Sequence, residues 1–111
     1  MSVARDPAMR VVLMTAPGEE KALEIAEALV QEGLAACVNV VPQIRSVYRW
    51  KGAVQHDDEH PMLIKTTAGR YAALEQAIRA GHPYELPEIV AVPIEHGLPQ
   101  YLDWVDTETK P

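Results

Sequence analysis

The 111-residue sequence holds one cysteine, Cys37, so no intramolecular disulfide can form and a zinc site built from several cysteines is excluded. A reducing compartment suits such a chain. Nowhere do ~18 apolar residues run together, the length a membrane-spanning helix needs. The opening MSVARDPAMR has no apolar stretch of the signal-peptide kind. These absences imply a cytoplasmic address and no membrane partner. Positive charge is scarce as well, with ten Lys and Arg against sixteen Asp and Glu and a net charge of −6. Affinity for nucleic acid grows from counterions released as Lys and Arg meet phosphates, so nucleic acid is disfavoured. There is no Gly-rich phosphate loop and no nucleophile with a paired base. The expectation is a protein that is not an enzyme.

What the chain does contain is enough for one domain with a modest core. Residues 1–9 read as a flexible arm and residues 10–108 as a single domain. RVVLMTA (10–16) is an apolar run of the buried-strand kind. In the segment 17–33, Ala22, Ile25, Ala26, Leu29 and Val30 make a helical stripe, Glu19 and Glu20 suit the positive end of its dipole, and Gly33 is a natural stop. Lys51-Gly52 sits between alternating segments as a tight hairpin turn. Residues 54–67 return as the antiparallel arm, where Pro61 calls for an edge or a bulge because it has no N–H to donate. A second helix over 69–81 places Tyr71, Leu74, Ala77 and Ile78 on one stripe. A strand over 87–97 follows, and Pro99 opens a short last helix over 98–108. The order βαββαβ with an extra C-terminal helix predicts an α+β, ferredoxin-like sandwich carrying a long β-hairpin.

Residues 34–52, LAACVNVVPQIRSVYRWKG, alternate as one strand of roughly 60 Å, far longer than a domain with a radius of gyration near ~13 Å needs. Its even positions, from Leu34 through Val38 and Val40 to Ile44, Tyr48 and Trp50, form the more apolar face. That face should lie under the helices up to Pro42. Cys37 and Asn39 stand on the odd face. Beyond Pro42 the helices are too short to cover Ile44, Tyr48 and Trp50, so other copies of the chain are expected to do so, in a homo-oligomer.

Four stretches together resemble the CutA family of divalent-cation tolerance proteins: TAPGEEKALEIAEALVQEGLAACVNVVP (15–42), SVYRWKG (46–52), IKT (64–66) and HPYELPEIV (82–90). The resemblance runs from about Val11 to Trp104. It implies a homotrimer in the manner of the PII signalling proteins, with sheets inside, helices outside and the long strands crossing to neighbouring subunits. It further implies a metal-binding protein concerned with tolerance of copper and other divalent ions. Vertebrate members of the family are tied to anchoring acetylcholinesterase. No enzymatic reaction follows from it.

Several residues could carry a metal. The thiolate of Cys37 is a soft donor for copper(I) or zinc, although a free cysteine also packs as a small buried hydrophobe. His82, in HPYE, is presented by a loop that Pro83 constrains, and imidazole suits copper and zinc; it could equally cap the carbonyls of the preceding helix. Some relatives place Cys at the position of Met14 and a second His at that of Gly81. Here Met14 offers a thioether and Gly81 no side chain. In HDDEH (56–60), His56, Asp58 and His60 share a strand face and Glu59 matches an acidic position of the family, against the plain reading of a solvated acidic arm. Tyr48, Trp50, Lys65, Tyr84 and Glu85 fall in the recurrent motifs and are expected to gather at a subunit cleft, with Lys65 ion-paired to Glu59 or Glu85. Three functions compete: a metal-binding trimer using copper or another divalent ion, a PII-like module holding a small anionic ligand in the cleft, and a trimeric scaffold for partner proteins.

Overall fold

The computed structural model describes residues 9–110. The elements run β1 (Met9–Ala16), α1 (Glu19–Gln31), β2 (Cys37–Val40), β3 (Ile44–Trp50), β4 (Ala53–Thr67), α2 (Ala68–Gly81), β5 (Ile89–Pro93) and α3 (Pro99–Glu108). All strand pairs are antiparallel, in the order β2-β4-β1-β5, with β3 also paired to β4. The segment assigned by sequence to a flexible arm lies outside the described residues except for Met9. That residue opens β1 and is buried.

Alternation along β1 and β4 sends Val12, Met14, Ala16, Met62 and Ile64 to one face. There they meet Ala22, Ile25, Ala26 and Leu29 of α1 and Leu74 and Ile78 of α2 in the main core. Val30, counted by sequence in the α1 stripe, is exposed. The other face of the sheet is left open by these two helices. At one end of it α3 packs Val105 and Leu102 against Met9, Ala36 and Ile94. Among the described residues no helix is long and apolar enough to cross a membrane.

The long strand expected over 34–52 is in fact two. Residues 34–36 precede the ladder, and β2 and β3 are separated by residues 41–43. Val40 stands opposite Met62 and Ile44 opposite Glu59, so three residues on one strand face only two, His60 and Pro61, on the other. This is a one-residue bulge, and it explains how a proline sits inside the 15-residue β4. A strand residue points its nitrogen and its carbonyl to the same side. The Pro61 carbonyl accepts from Val41 N at 2.8 Å, so the nitrogen that cannot donate also faces the bulge, and pairing with β1 continues through Thr15 opposite Pro61. The sequence placed the irregularity on the arm that holds Pro61. It lies on the partner strand.

The bulge also reverses the faces. Val38 and Val40 stand on the helix side and pack against the core, whereas Ile44, Ser46, Tyr48 and Trp50 share the face of Glu59 and Asp57, the open side of the sheet. The single even face expected from alternation therefore does not persist past Pro42. From there the β3–β4 hairpin projects as an arm, and the described residues extend 55 × 25 × 23 Å. Its tip is a two-residue turn in which Lys51 (φ 50°) and Gly52 (φ 81°) are both left-handed, the geometry that matches strand twist.

Helix α1 ends in a Schellman motif. Gly33 N bonds to Val30 O at 3.1 Å and Leu34 N to Leu29 O at 3.0 Å, with Gly33 at φ 69°. Leu34 is thereby turned into the core beside Leu29, and the chain is aimed into β2. Replacing Gly33 by alanine forces a Cβ into the left-handed region, which costs about 1–2 kcal/mol. Urea unfolding of Gly33→Ala should show a lower midpoint with an unchanged slope.

Candidate functional site

The C-terminal end of β1, the hairpin arm and the loop 82–88 enclose a cleft of about 340 Å³. Thr15, Tyr48, Trp50, Glu59, Tyr84 and Glu85 line it, with Leu86 and Glu88 on the loop side. Of the residues expected to gather here, Tyr48, Trp50, Tyr84 and Glu85 do so within one chain.

Glu59 is the centre of this arrangement. Only 6% of it is exposed, and its Oε2 accepts hydrogen bonds from Thr15 Oγ1 at 2.8 Å and Tyr84 Oη at 3.2 Å. A buried carboxylate is costly unless hydrogen-bonded, and two hydroxyls supply that here without neutralising its charge. The loop bearing Tyr84 is fixed by His82, the extended residue that ends α2. Tyr84 N donates to His82 Nδ1 at 3.1 Å, so the ring proton is on Nε2, which donates to Thr15 O at 2.8 Å. The two rings also stack at a tilt, 4.8 Å between centroids. His82 is therefore buried with both nitrogens engaged. Its partner is a strand carbonyl rather than the helix carbonyls considered from sequence.

The other candidates lie elsewhere. Met14 is 1% exposed in the core, on the helix side of the sheet. Cys37 stands opposite Lys65 on the open side, half-buried, and the Tyr101 phenol of α3 is pushed up first by burial and then by Cys37. His82, Cys37 and Met14 thus do not converge within one chain. Lys65 is not paired with Glu59 or Glu85, because β4 register places it beside Asn39, whose Oδ1 it bonds. Glu85 meets Lys51 instead, at 3.8 Å. On the arm, His56 is exposed and Asp58 pairs with Arg45 at 3.3 Å. His60 is half-buried, its Nδ1 without a hydrogen-bond partner among the described residues. Four residues apart on a strand, His56 and His60 are roughly 13 Å apart along the backbone, too far to share an ion without help. Among the described residues no three His, Cys, Asp or Glu side chains are grouped as a metal would require.

Sequence reasoning missed Thr15, Asp57 and Glu88. Thr15 opens the first family-like stretch but was given no role there, and its role depends on register with Glu59, 44 residues away. Asp57, half of HDDEH's acidic pair, accepts from the Tyr48 hydroxyl across the hairpin.

The CutA1 family model, described as "CutA1 divalent ion tolerance protein", matches residues 10–108. The chain belongs to the CutA1 family. It is similar to the divalent-cation tolerance protein CutA of Thermus thermophilus, 52% identical over 99 residues, covering 89% of this chain and 96% of that protein. The solved Thermus structure superposes with a TM-score of 0.90 at 51% identity, over 92% of this chain and 99% of that one. Protein CutA of Mus musculus is 48% identical over 97 residues, 87% of this chain but 55% of the mouse protein, so the chain spans about half of that relative. A structure from Archaeoglobus fulgidus, described as a periplasmic divalent cation tolerance protein, has a TM-score of 0.89 at 37% identity, over 92% of this chain and 99% of that one.

The Tyr84 phenol is pushed up from 10.0 to about 12, first by burial, then by the charge of Glu59 and its hydrogen bond, with Asp57 and Tyr48 adding to it. The folded state thus favours the protonated phenol. That contribution to stability is whole below pH 10.0 and is lost as pH rises through about 12. Glu59→Gln should bring the Tyr84 ionisation down toward its ordinary value, followed as phenolate absorbance, and Tyr84→Phe should flatten the alkaline loss of stability.

Proposed function

We propose that this CutA1-family chain is a cytoplasmic, homotrimeric cation-binding protein of divalent-cation tolerance, not an enzyme, and that Glu59 is its principal cation-seeking group. The observation that carries the reading is a carboxylate only 6% exposed at the floor of an acidic cleft and held by hydroxyls rather than by a basic side chain. Copper or another divalent ion is the expected guest from the family. The residues fit it unequally. Glu59, with Glu85 and Glu88 at the rim, offers oxygen donors suited to a hard divalent ion. The softer set is scattered: Met14 is in the core, Cys37 is on the open sheet face, and His82 would have to release two hydrogen bonds to ligate. A full coordination sphere therefore calls on a second subunit.

Two features support assembly. The open face carries Val11 and Leu13 opposite Val92 and Val90, the last two about half exposed. The hairpin arm exposes Ile44, Val47 and Val54. At ~25 cal/mol per Å² such surfaces favour burial by other copies. The strand order, with β2 and β3 counted as one, supports the ferredoxin-like plan. The acidic lining weighs against an anionic ligand in the cleft, and three of the basic groups on these strands are already engaged: Arg45 with Asp58, Lys51 with Glu85 and Lys65 with Asn39.

Light scattering at micromolar concentration should give one species of three times the chain mass; a monomer would contradict the reading of the exposed faces. Calorimetric titration with Cu(II) and Zn(II) should show Glu59→Gln binding at least about tenfold more weakly than the wild type. Equal affinities would remove Glu59 from the site, and a loss confined to His82→Ala would move it to the imidazole.

A further inference from the structure

The cleft has aromatic walls as well as a carboxylate floor, and a metal ion has no use for the walls. Tyr48, Trp50 and Tyr84 surround a space that also holds Glu59, Glu85 and Glu88, and about 340 Å³ accommodates a small organic molecule. Aromatic faces attract cations that shed water easily, ammonium groups among them. The chain supplies its own instance: Lys51 Nζ stands 5.6 Å from the centroid of the Trp50 ring and 3.8 Å from Glu85 Oε2. An alkylammonium, tethered to the hairpin turn, already stands between a ring and a carboxylate that both line the cleft.

The inner end has no such occupant. Thr15 and Tyr84 both donate to Glu59 Oε2, and Oε1 accepts from neither. With Lys51 displaced, the three carboxylates Glu59, Glu85 and Glu88 face the guest, enough negative charge to hold two ammonium groups. Trp50 and Leu86 add non-polar surface to the lining, which suits methylene groups.

We propose that the cleft binds a small aliphatic diammonium ion, one ammonium on Glu59 and the other displacing Lys51 from Trp50 and Glu85. This goes beyond the divalent-ion reading and uses only residues of one chain. The chain has two tryptophans, and Trp104 lies on α3, outside the cleft. A Trp104→Phe background therefore makes Trp50 the reporter. Diaminobutane, butylamine and butyrate are titrated against it with a chelator present, so that no metal contributes and failure of the metal reading leaves this one testable. Trp50 fluorescence should saturate with diaminobutane, respond about tenfold more weakly to butylamine, and ignore butyrate. Glu59→Gln should weaken diaminobutane binding by about tenfold or more. Lys51→Met, a change at an exposed turn, should tighten it by vacating the outer position. No saturable response at millimolar diaminobutane overturns the proposal, as does an affinity unchanged in Glu59→Gln or a Lys51→Met variant that binds more weakly than its parent.

Discussion

The arrangement of the molecule depends on the one backbone nitrogen in β4 that cannot donate a hydrogen bond. Pro61 stands at the middle of the sheet, between β1 and the strand that runs opposite, where an unpaired partner group would be costly. The opposing strand accommodates it with one extra residue, and that insertion is what divides β2 from β3. Because side chains alternate with a period of two, a single inserted residue exchanges the faces of everything that follows. Val38 and Val40 serve the core of the domain while Tyr48 and Trp50 turn to the face of Glu59. The cleft exists because the ladder slips by one at Pro61.

Around that slip, a chain of hydrogen bonds joins three elements that have no sequence proximity. β4 contributes Glu59, β1 contributes both the hydroxyl and the carbonyl of Thr15, and the loop after α2 contributes His82 and Tyr84. His82 ties the loop backbone to β1, so that Tyr84 reaches Glu59 from a fixed direction. Polar networks in a low-dielectric setting are stiff when every member is satisfied. In this one the imidazole works as a brace, and the carboxylate is the member with capacity left over.

The elements were legible wherever a local pattern decided them. The 3.6-residue stripe and terminal Gly33 predict α1, the Lys51-Gly52 turn predicts the hairpin, and Pro99 predicts the start of α3, all within a residue or two of what is found. The four quoted stretches were enough to identify the family, which the match over residues 10–108 establishes. The long strand failed because hydrophobic alternation carries no sign of a bulge: residues 41–43 read as a continuation of the pattern, and only pairing with β4 shows them to be one too many. The cleft was half legible for the same reason. Tyr48, Trp50, Tyr84 and Glu85 lie in recognisable motifs, whereas Thr15 acquires its role from register across 44 residues. Lys65 was placed in the cleft on motif membership, yet alternation on β4 aligns it with Cys37 and Asn39.

The kind of cation that such a cleft prefers follows from what each guest would have to give up. A divalent ion surrenders tightly held water and asks for several oxygen or nitrogen donors in return. One chain offers a buried carboxylate and two exposed ones, so a metal would keep much of its water or draw ligands from another subunit. An organic ammonium gives up less water, needs only a hydrogen-bond acceptor and a low-polarity wall, and both are present in one chain. Lys51 shows the balance at the rim, where an ammonium free to point into solvent instead lies against Trp50 and Glu85. Aromatic walls would gain nothing from a hydrated metal ion. Their presence beside Glu59 therefore bears on the identity of the guest, whereas the carboxylates alone fix only its sign.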